Sequence, residues 1–174
     1  MGFMKIVVVS DSHGDRGIIQ ELVSKYAGKV AGIFHCGDSE LPLDDPLVSQ
    51  LQIVRGNMDF AEFPEQVVQE VNGKRILLTH GHHQNVNGGL LNLELYARSL
   101  SADIVLFGHT HQLGATFDDQ MLFVNPGSIA DPRGQYASLG GTYAIISMDQ
   151  KYYTVQYCNR QFEPVANLEL RFPF

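Results

Sequence analysis

Short apolar runs rich in β-branched residues recur along the first 111 residues, and each stops at a cluster of polar ones. Residues 5–9 run into Ser10-Asp11-Ser12-His13, and residues 30–34 into His35-Cys36-Gly37-Asp38. Residues 51–54 lead to Arg55-Gly56-Asn57, residues 75–78 to Thr79-His80, and residues 104–107 to Gly108-His109-Thr110-His111. Runs that are apolar on both faces predict strands in the middle of a covered sheet. Residues 16–27 place Ile18, Ile19, Leu22, Val23 and Tyr26 on one helical face behind Asp15 as a cap. A second amphipathic helix is predicted over residues 89–100, after Asn87, and a shorter one over 46–51. Asn72-Gly73 between residues 67–71 and 74–78 predicts a hairpin, because both central residues of such a turn need positive φ.

After His111 the texture changes. Residues 115–117 and 121–124 flank Asp118-Asp119-Gln120, residues 142–147 and 152–157 flank Asp149-Gln150-Lys151, and residues 168–172 alternate apolar with charged. These read as antiparallel strands with one solvated face. The pattern therefore predicts an α/β fold of two packed sheets with helices outside, the boundary between sheets lying where the texture changes. No repeat, low-complexity segment or linker interrupts it, so residues 1–174 are expected to form a single domain.

Composition narrows the function. A chain of 174 residues, 44% hydrophobic and 18% charged, needs no disulfide or structural metal to hold a core. Its formal charge of -7, from 12 Lys and Arg against 19 Asp and Glu, argues against a long nucleic acid as partner. Every apolar stretch falls far short of the roughly 18 residues that a membrane span needs. The first apolar run meets Asp11 and His13 almost at once, so no signal peptide is expected. Cys36 and Cys158 are then expected to be reduced thiols in a cytoplasm.

All seven histidines lie between His13 and His111, several of them where a strand run ends. Ends of this kind are where open α/β sheets assemble their sites. Collected from those ends, Asp11, His13, Asp38, Asn57, His80, His109 and His111 make a set of oxygen and imidazole donors with no thiolate. That is too many for one tetrahedral ion, whereas two ions sharing a carboxylate use them all.

The order D-x-H, GD, GN, H and GHTH resembles the five-motif signature of the calcineurin-like metallophosphoesterases. The short length, with Asn125-Pro126-Gly127-Ser128 after GHTH, is similar to the small bacterial and archaeal YfcE-type phosphodiesterases. The resemblance implies a two-sheet β-sandwich flanked by helices (αββα), its second sheet supplied by the rest of the chain, and a dinuclear metal centre. By motif, Asp11, His13 and His111 would hold the first ion, Asp38 would bridge, and Asn57, His80 and His109 would complete the second site. The implied activity is a metal-dependent phosphodiesterase acting on small phosphate esters. Its nucleophile would be a hydroxide held between two divalent ions, Mn²⁺ foremost, with Fe²⁺, Zn²⁺ or Ni²⁺ as alternatives.

One position departs from the pattern. Many relatives carry a His after the Gly-Asn pair that assists the leaving group, and Met58 stands there, followed by Asp59. The general acid is therefore unassigned, His82 and His83 being nearest in sequence; the alternative is a preference for good leaving groups. Asp59 is expected to orient a ligand. His35 is expected to be packed or supporting, Cys36 a buried inert thiol, and Asn125-Pro126-Gly127-Ser128 a structural turn. Arg55 and Arg133 are candidates for a phosphate contact, although exposed loop arginines are common. A competing function is an interaction scaffold, as in the retromer's phosphoesterase-like subunit, which shares this fold. Broken ligand sets would favour it; here the set is complete, and only Met58 speaks for it. A metallo-β-lactamase reading of His80-Gly81-His82-His83 fails because Gln84 stands where Asp is required. Open sheet edges leave a homo-oligomer possible.

Overall fold

The apolar runs become the inner strands of a computed structural model that describes residues 3–174. In chain order these are β1 (Met4–Val9), α1 (Arg16–Tyr26), β2 (Gly32–His35), β3 (Gln52–Ile53), β4 (Gln66–Val71), β5 (Lys74–Thr79), α2 (Leu91–Ser99) and β6 (Ile104–Leu106). There follow β7 (Gly114–Asp118), β8 (Met121–Asn125), β9 (Thr142–Met148), β10 (Tyr152–Asn159) and β11 (Pro164–Pro173). One sheet runs β11-β10-β9-β1-β2-β3 and the other β4-β5-β6-β8-β7. Strands β1, β2 and β3 are parallel, as are β5, β6 and β8; the flanking pairs are antiparallel.

Two-residue alternation explains why the central strands are apolar on both faces. Met4, Ile6 and Val8 pack between the sheets against Ile76, Leu78, Ile104, Leu106, Leu122 and Val124. Val7 and Val9 turn the other way, onto Ile18, Ile19, Leu22 and Val23 of α1. Leu77, Val105 and Phe123 meet Leu93 and Ala97 of α2 on the opposite outer face. The layers are therefore helix, sheet, sheet, helix. Asp15 caps α1 by accepting from the Ile18 amide at 3.3 Å, and Asn72 and Gly73 take φ of 49° and 75° in the predicted hairpin.

The chain path corrects the expected division. The change of texture after His111 is not a boundary between sheets: β7 and β8 extend the second sheet, and β9, β10 and β11 return to extend the first. Nor do β8 and β9 show a solvated face. β8 is an inner strand beside β6, and β9 lies between β10 and β1 with Tyr143 turned toward the α1 layer. The second helix begins later than predicted, because Gly89 takes φ of 121° and stops a 3₁₀ turn at Val86–Gly88 before α2 can start. The short third helix is a 3₁₀ turn, Pro46–Gln50, capped by Asp45. Among the described residues no helix is long and apolar enough to cross a membrane.

Leu78 is fully buried between the sheets, two residues before His80. Leu78→Ala is expected to cost about 2–5 kcal/mol by urea unfolding, whereas Leu95→Ala on the exposed side of α2 should stay within about 0.5 kcal/mol.

Candidate metal centre

Side chains that follow β1, β2, β3, β5 and β6 meet at one edge of the sandwich. To reach it, the chain must reverse immediately after each apolar strand. Asp11, His13, Asp38, His109 and His111 accordingly take φ of 52°, 43°, 56°, 72° and 60°. Residues other than glycine visit this region at a cost of order 1–3 kcal/mol each, and such positions concentrate at functional sites. Glycine is required where loops touch: a Cβ at Gly56 would overlap the Asp38 carboxylate, and one at Gly108 the Ser10 hydroxyl.

All seven expected residues are brought together here. Asp11 Oδ2 accepts from the Ser10 hydroxyl and from the His109 amide at 3.1 Å. Asp11 Oδ1 is buried and has no hydrogen-bond partner. Around it stand His111 Nε2 at 3.2 Å, His13 Nε2 at 3.8 Å and His80 Nε2 at 4.0 Å. On the other side, Asn57 Oδ1 lies 3.1 Å from His80 Nε2 and 3.0 Å from His109 Nδ1, and Asp38 Oδ2 lies 3.3 Å from His80 Nε2.

The imidazoles are oriented from behind. His80 Nδ1 donates to the Cys36 carbonyl at 2.7 Å, His111 Nδ1 to the Asp131 carbonyl at 2.7 Å, and His13 Nδ1 to Glu40 Oε1 at 3.2 Å. With the proton on Nδ1, each neutral ring turns an Nε2 lone pair inward. His13 and His111 then face each other, Nε2 to Nε2, at 3.2 Å. Two lone pairs at that distance repel unless a proton or a cation stands with them. Ligands bound to one ion at about 2.0–2.2 Å lie about 3 Å from one another, so the closer separations here fit shared cations.

Among the carboxylate and imidazole donors of these seven residues, two groups lie mutually within 4.8 Å: Asp11, His13 and His111, and Asp11, Asp38 and His80. Asp11 is common to both. Asp38, the expected bridge, belongs to the second group, and its Oδ1 accepts the Met58 amide at 2.8 Å.

Burial works to raise the Asp11 carboxyl, yet His111, His80 and Ser10 together hold it below the usual carboxylate range. Asp38 behaves alike: burial is outweighed by His80 and the Met58 amide. Burial pulls His80 down, but Asp38 and Asp11 carry it above the ordinary imidazole value; His111 is raised chiefly by Asp11. His109 is lowered by burial and by the neighbouring His80. Both acids are thus ionised at neutral pH, as metal ligands must be.

Asp59 is buried and ties two loops together. Its Oδ2 accepts the amides of Asp38 at 2.9 Å and Gly56 at 2.7 Å, and its Oδ1 that of Glu40 at 2.7 Å. His35, fully buried and held down to about 4 by that burial, accepts the Gly37 amide and donates to Ser12 Oγ at 2.9 Å. The Asn125-Pro126-Gly127-Ser128 turn is structural: Asn125 Nδ2 donates to the Gly108 carbonyl, and Ser128 Oγ to the Asp11 carbonyl at 2.7 Å. Cys36 contributes its carbonyl; burial pushes its thiol well up. Arg55 is occupied with the Asp59 carbonyl, whereas Arg133, paired to Asp131 at 3.0 Å, lines the cleft. That cleft, about 360 Å³, also contains Met58, half-exposed. His83 is exposed beside Glu65 at 3.2 Å, and His82, held down to about 4 by burial, packs 5.2 Å from the His80 ring. The sequence assigns no role to Ser10, Glu40 or Asp131, and Ser128 stands there only as part of a structural turn. They act through one hydroxyl, one carboxylate or a main-chain carbonyl, and only the fold brings them to the ligands.

Known proteins share sequence and fold with this chain. The family model described as the calcineurin-like phosphoesterase superfamily domain matches residues 4–151. The probable metallophosphoesterase YsnB of Bacillus subtilis is 33% identical over 169 residues, covering 97% of this chain and 98% of that protein. The crystal structure of a conserved uncharacterised protein of Streptococcus pneumoniae, described as a predicted phosphoesterase, is 40% identical with a TM-score of 0.96, covering 100% of this chain and 99% of the other. A Vps29 variant from Entamoeba histolytica, 21% identical with a TM-score of 0.72 over 98% of this chain and 99% of its own, shares the fold.

Removing the Asp59 carboxylate leaves two buried amides and a third, part-buried one without an acceptor. Asp59→Ala is expected to lower stability by about 2–4 kcal/mol in denaturant unfolding, more than a neutral surface substitution at Asp44.

Proposed function

Because the chain belongs to the calcineurin-like phosphoesterase superfamily, we propose that it is a phosphodiesterase acting on small phosphate esters with two divalent metal ions. Asp11, His13 and His111 would hold one ion, Asn57, His80 and His109 the other, with Asp38 shared between them. The observation that carries this reading is the unpartnered Asp11 Oδ1, buried among three inward-facing imidazole nitrogens. A buried acceptor left bare is costly, and a cation removes that cost. Bound there, the two ions supply activation of water and neutralise charge on the phosphoryl oxygens. Two carboxylates, one amide and four imidazoles, with no thiolate, suit Mn²⁺, which we take as the native ion ahead of Fe²⁺, Zn²⁺ or Ni²⁺.

The chain's own side chains complete the site. Arg133 offers a guanidinium on the rim of an otherwise acidic protein, where it can meet an incoming phosphate. Met58 lines the cleft but has no proton to give a departing alkoxide. Esters whose leaving group departs unprotonated, such as aryl esters, are therefore the favoured substrates. The short loops leave the cleft open, consistent with a broad range of small diesters. A cytoplasmic setting, with Cys36 and Cys158 as free buried thiols, belongs to the same proposal. The scaffold alternative rests on Met58 and draws no support from the ligand set, which is complete.

Chelator-stripped protein is expected to lose hydrolysis of bis-p-nitrophenyl phosphate and regain it with Mn²⁺. Asp38→Asn should reduce the restored rate by about 100-fold or more with the unfolding transition unchanged. Wild-type protein that binds two ions yet turns over nothing with Mn²⁺, Zn²⁺ or Ni²⁺ would favour the scaffold. Met58→His is expected to raise turnover of an alkyl diester by about 10-fold or more while leaving the p-nitrophenyl ester nearly unchanged; equal effects on both would remove Met58 from the explanation.

A further inference from the structure

A second group of donors lies outside the seven residues. One ring nitrogen of His82, one of His83 and a carboxylate oxygen of Glu65 lie within 4.8 Å of one another. Within the group, His83 Nε2 stands 3.2 Å from Glu65 Oε2, and the His82 and His83 rings are 4.0 Å apart. His82 Nδ1 is buried and has no hydrogen-bond partner. We propose that His82, His83 and Glu65 form a third, outer metal site that binds an imidazole-preferring divalent ion such as Zn²⁺.

The fold builds this juxtaposition in two steps. The register of the hairpin pairs Gln66 with Thr79, so Glu65 lies across from His80 and beside the turn that carries His82 and His83. The turn itself is tight. Gln84 and Val86 amides both donate to the Gly81 carbonyl, the Asn85 amide donates to that of His82, and Val86 is buried. Glu65 is fixed from behind through Pro64, whose carbonyl accepts the Arg55 amide at 2.9 Å. The three donors are thus presented by short, anchored segments.

Two imidazoles and one carboxylate match the ligand sets of zinc sites that keep open positions, and the imidazoles select against Mg²⁺ and Ca²⁺. Glu65 and His83 are exposed, so the remaining positions would be filled from solvent. The site is distinct from the proposed dinuclear centre but adjacent to it, the His82 ring lying 5.2 Å from that of His80 and 6.0 Å from that of His109. An ion there adds positive charge at the edge of a cleft that anionic substrates must enter.

The test is equilibrium dialysis of the full chain against Zn²⁺, with bound metal counted per chain. Wild type is expected to bind one ion more than His83→Ala, and Glu65→Gln to weaken that ion's binding by about 10–100-fold. Both substitutions are at exposed side chains, and circular dichroism checks that the fold persists. Excess Mg²⁺ should not displace the ion. Equal metal counts in wild type and His83→Ala, or displacement by Mg²⁺, would overturn the proposal. The dinuclear reading fails separately: if Asp38→Asn and wild type bind equal amounts while His83→Ala loses one ion, the outer site stands and the inner one falls.

Discussion

One carboxylate oxygen without a partner governs the organisation of this molecule. Asp11 is fully buried at the end of the central strand β1, and its Oδ1 is unbonded although its other oxygen is hydrogen-bonded. In an interior of low dielectric, an ionised group in that state is tolerated only if opposite charge is close. The surrounding chain brings imidazoles from both sheets around it, and their inward nitrogens would hold the cations proposed above. Five left-handed residues, each unfavourable alone, are the conformational cost of doing so.

What holds the arrangement is a layer of hydrogen bonds behind the seven residues. Cys36 and Asp131 present carbonyls to imidazole Nδ1 atoms, and Asp59 gathers three amides from two loops. These partners fix which nitrogen of each ring faces inward. The apolar strands beneath, packed on both faces, keep the loop roots from shifting.

Much of this was legible in the sequence. Runs of consecutive apolar residues identified β1, β5 and β6 as inner strands, because a strand covered on both faces favours apolar side chains at successive positions. The polar clusters after these strands, and after β2 and β3, named all seven residues that meet at the edge. The path of the chain was not legible. Local alternation cannot report which sheet a strand joins, and β9 follows a long excursion through the second sheet before pairing with β1. Nor could spacing reveal that Asp11 is shared by both donor groups, since this depends on how two sheets face each other. Supporting groups such as the Cys36 and Asp131 carbonyls are invisible for the same reason: backbone carbonyls exist at every residue, and only tertiary structure selects one.

The return of the chain to its first sheet has a consequence for how the molecule is made. Strand β1 is flanked by β2 and β9, one supplied within the first 35 residues and the other only at Thr142–Met148. A nascent chain therefore carries β1 with one edge unpaired while the whole second sheet is being synthesised. Strand β1, which leads into Asp11, gains its second neighbour only after the second sheet is complete. Closing so distant a contact is slow compared with local pairing, and an apolar edge left open meanwhile is prone to mispairing. The edge that gathers the seven residues is thus expected to assemble late in biogenesis, once the hairpin of β9 and β10 closes onto β1.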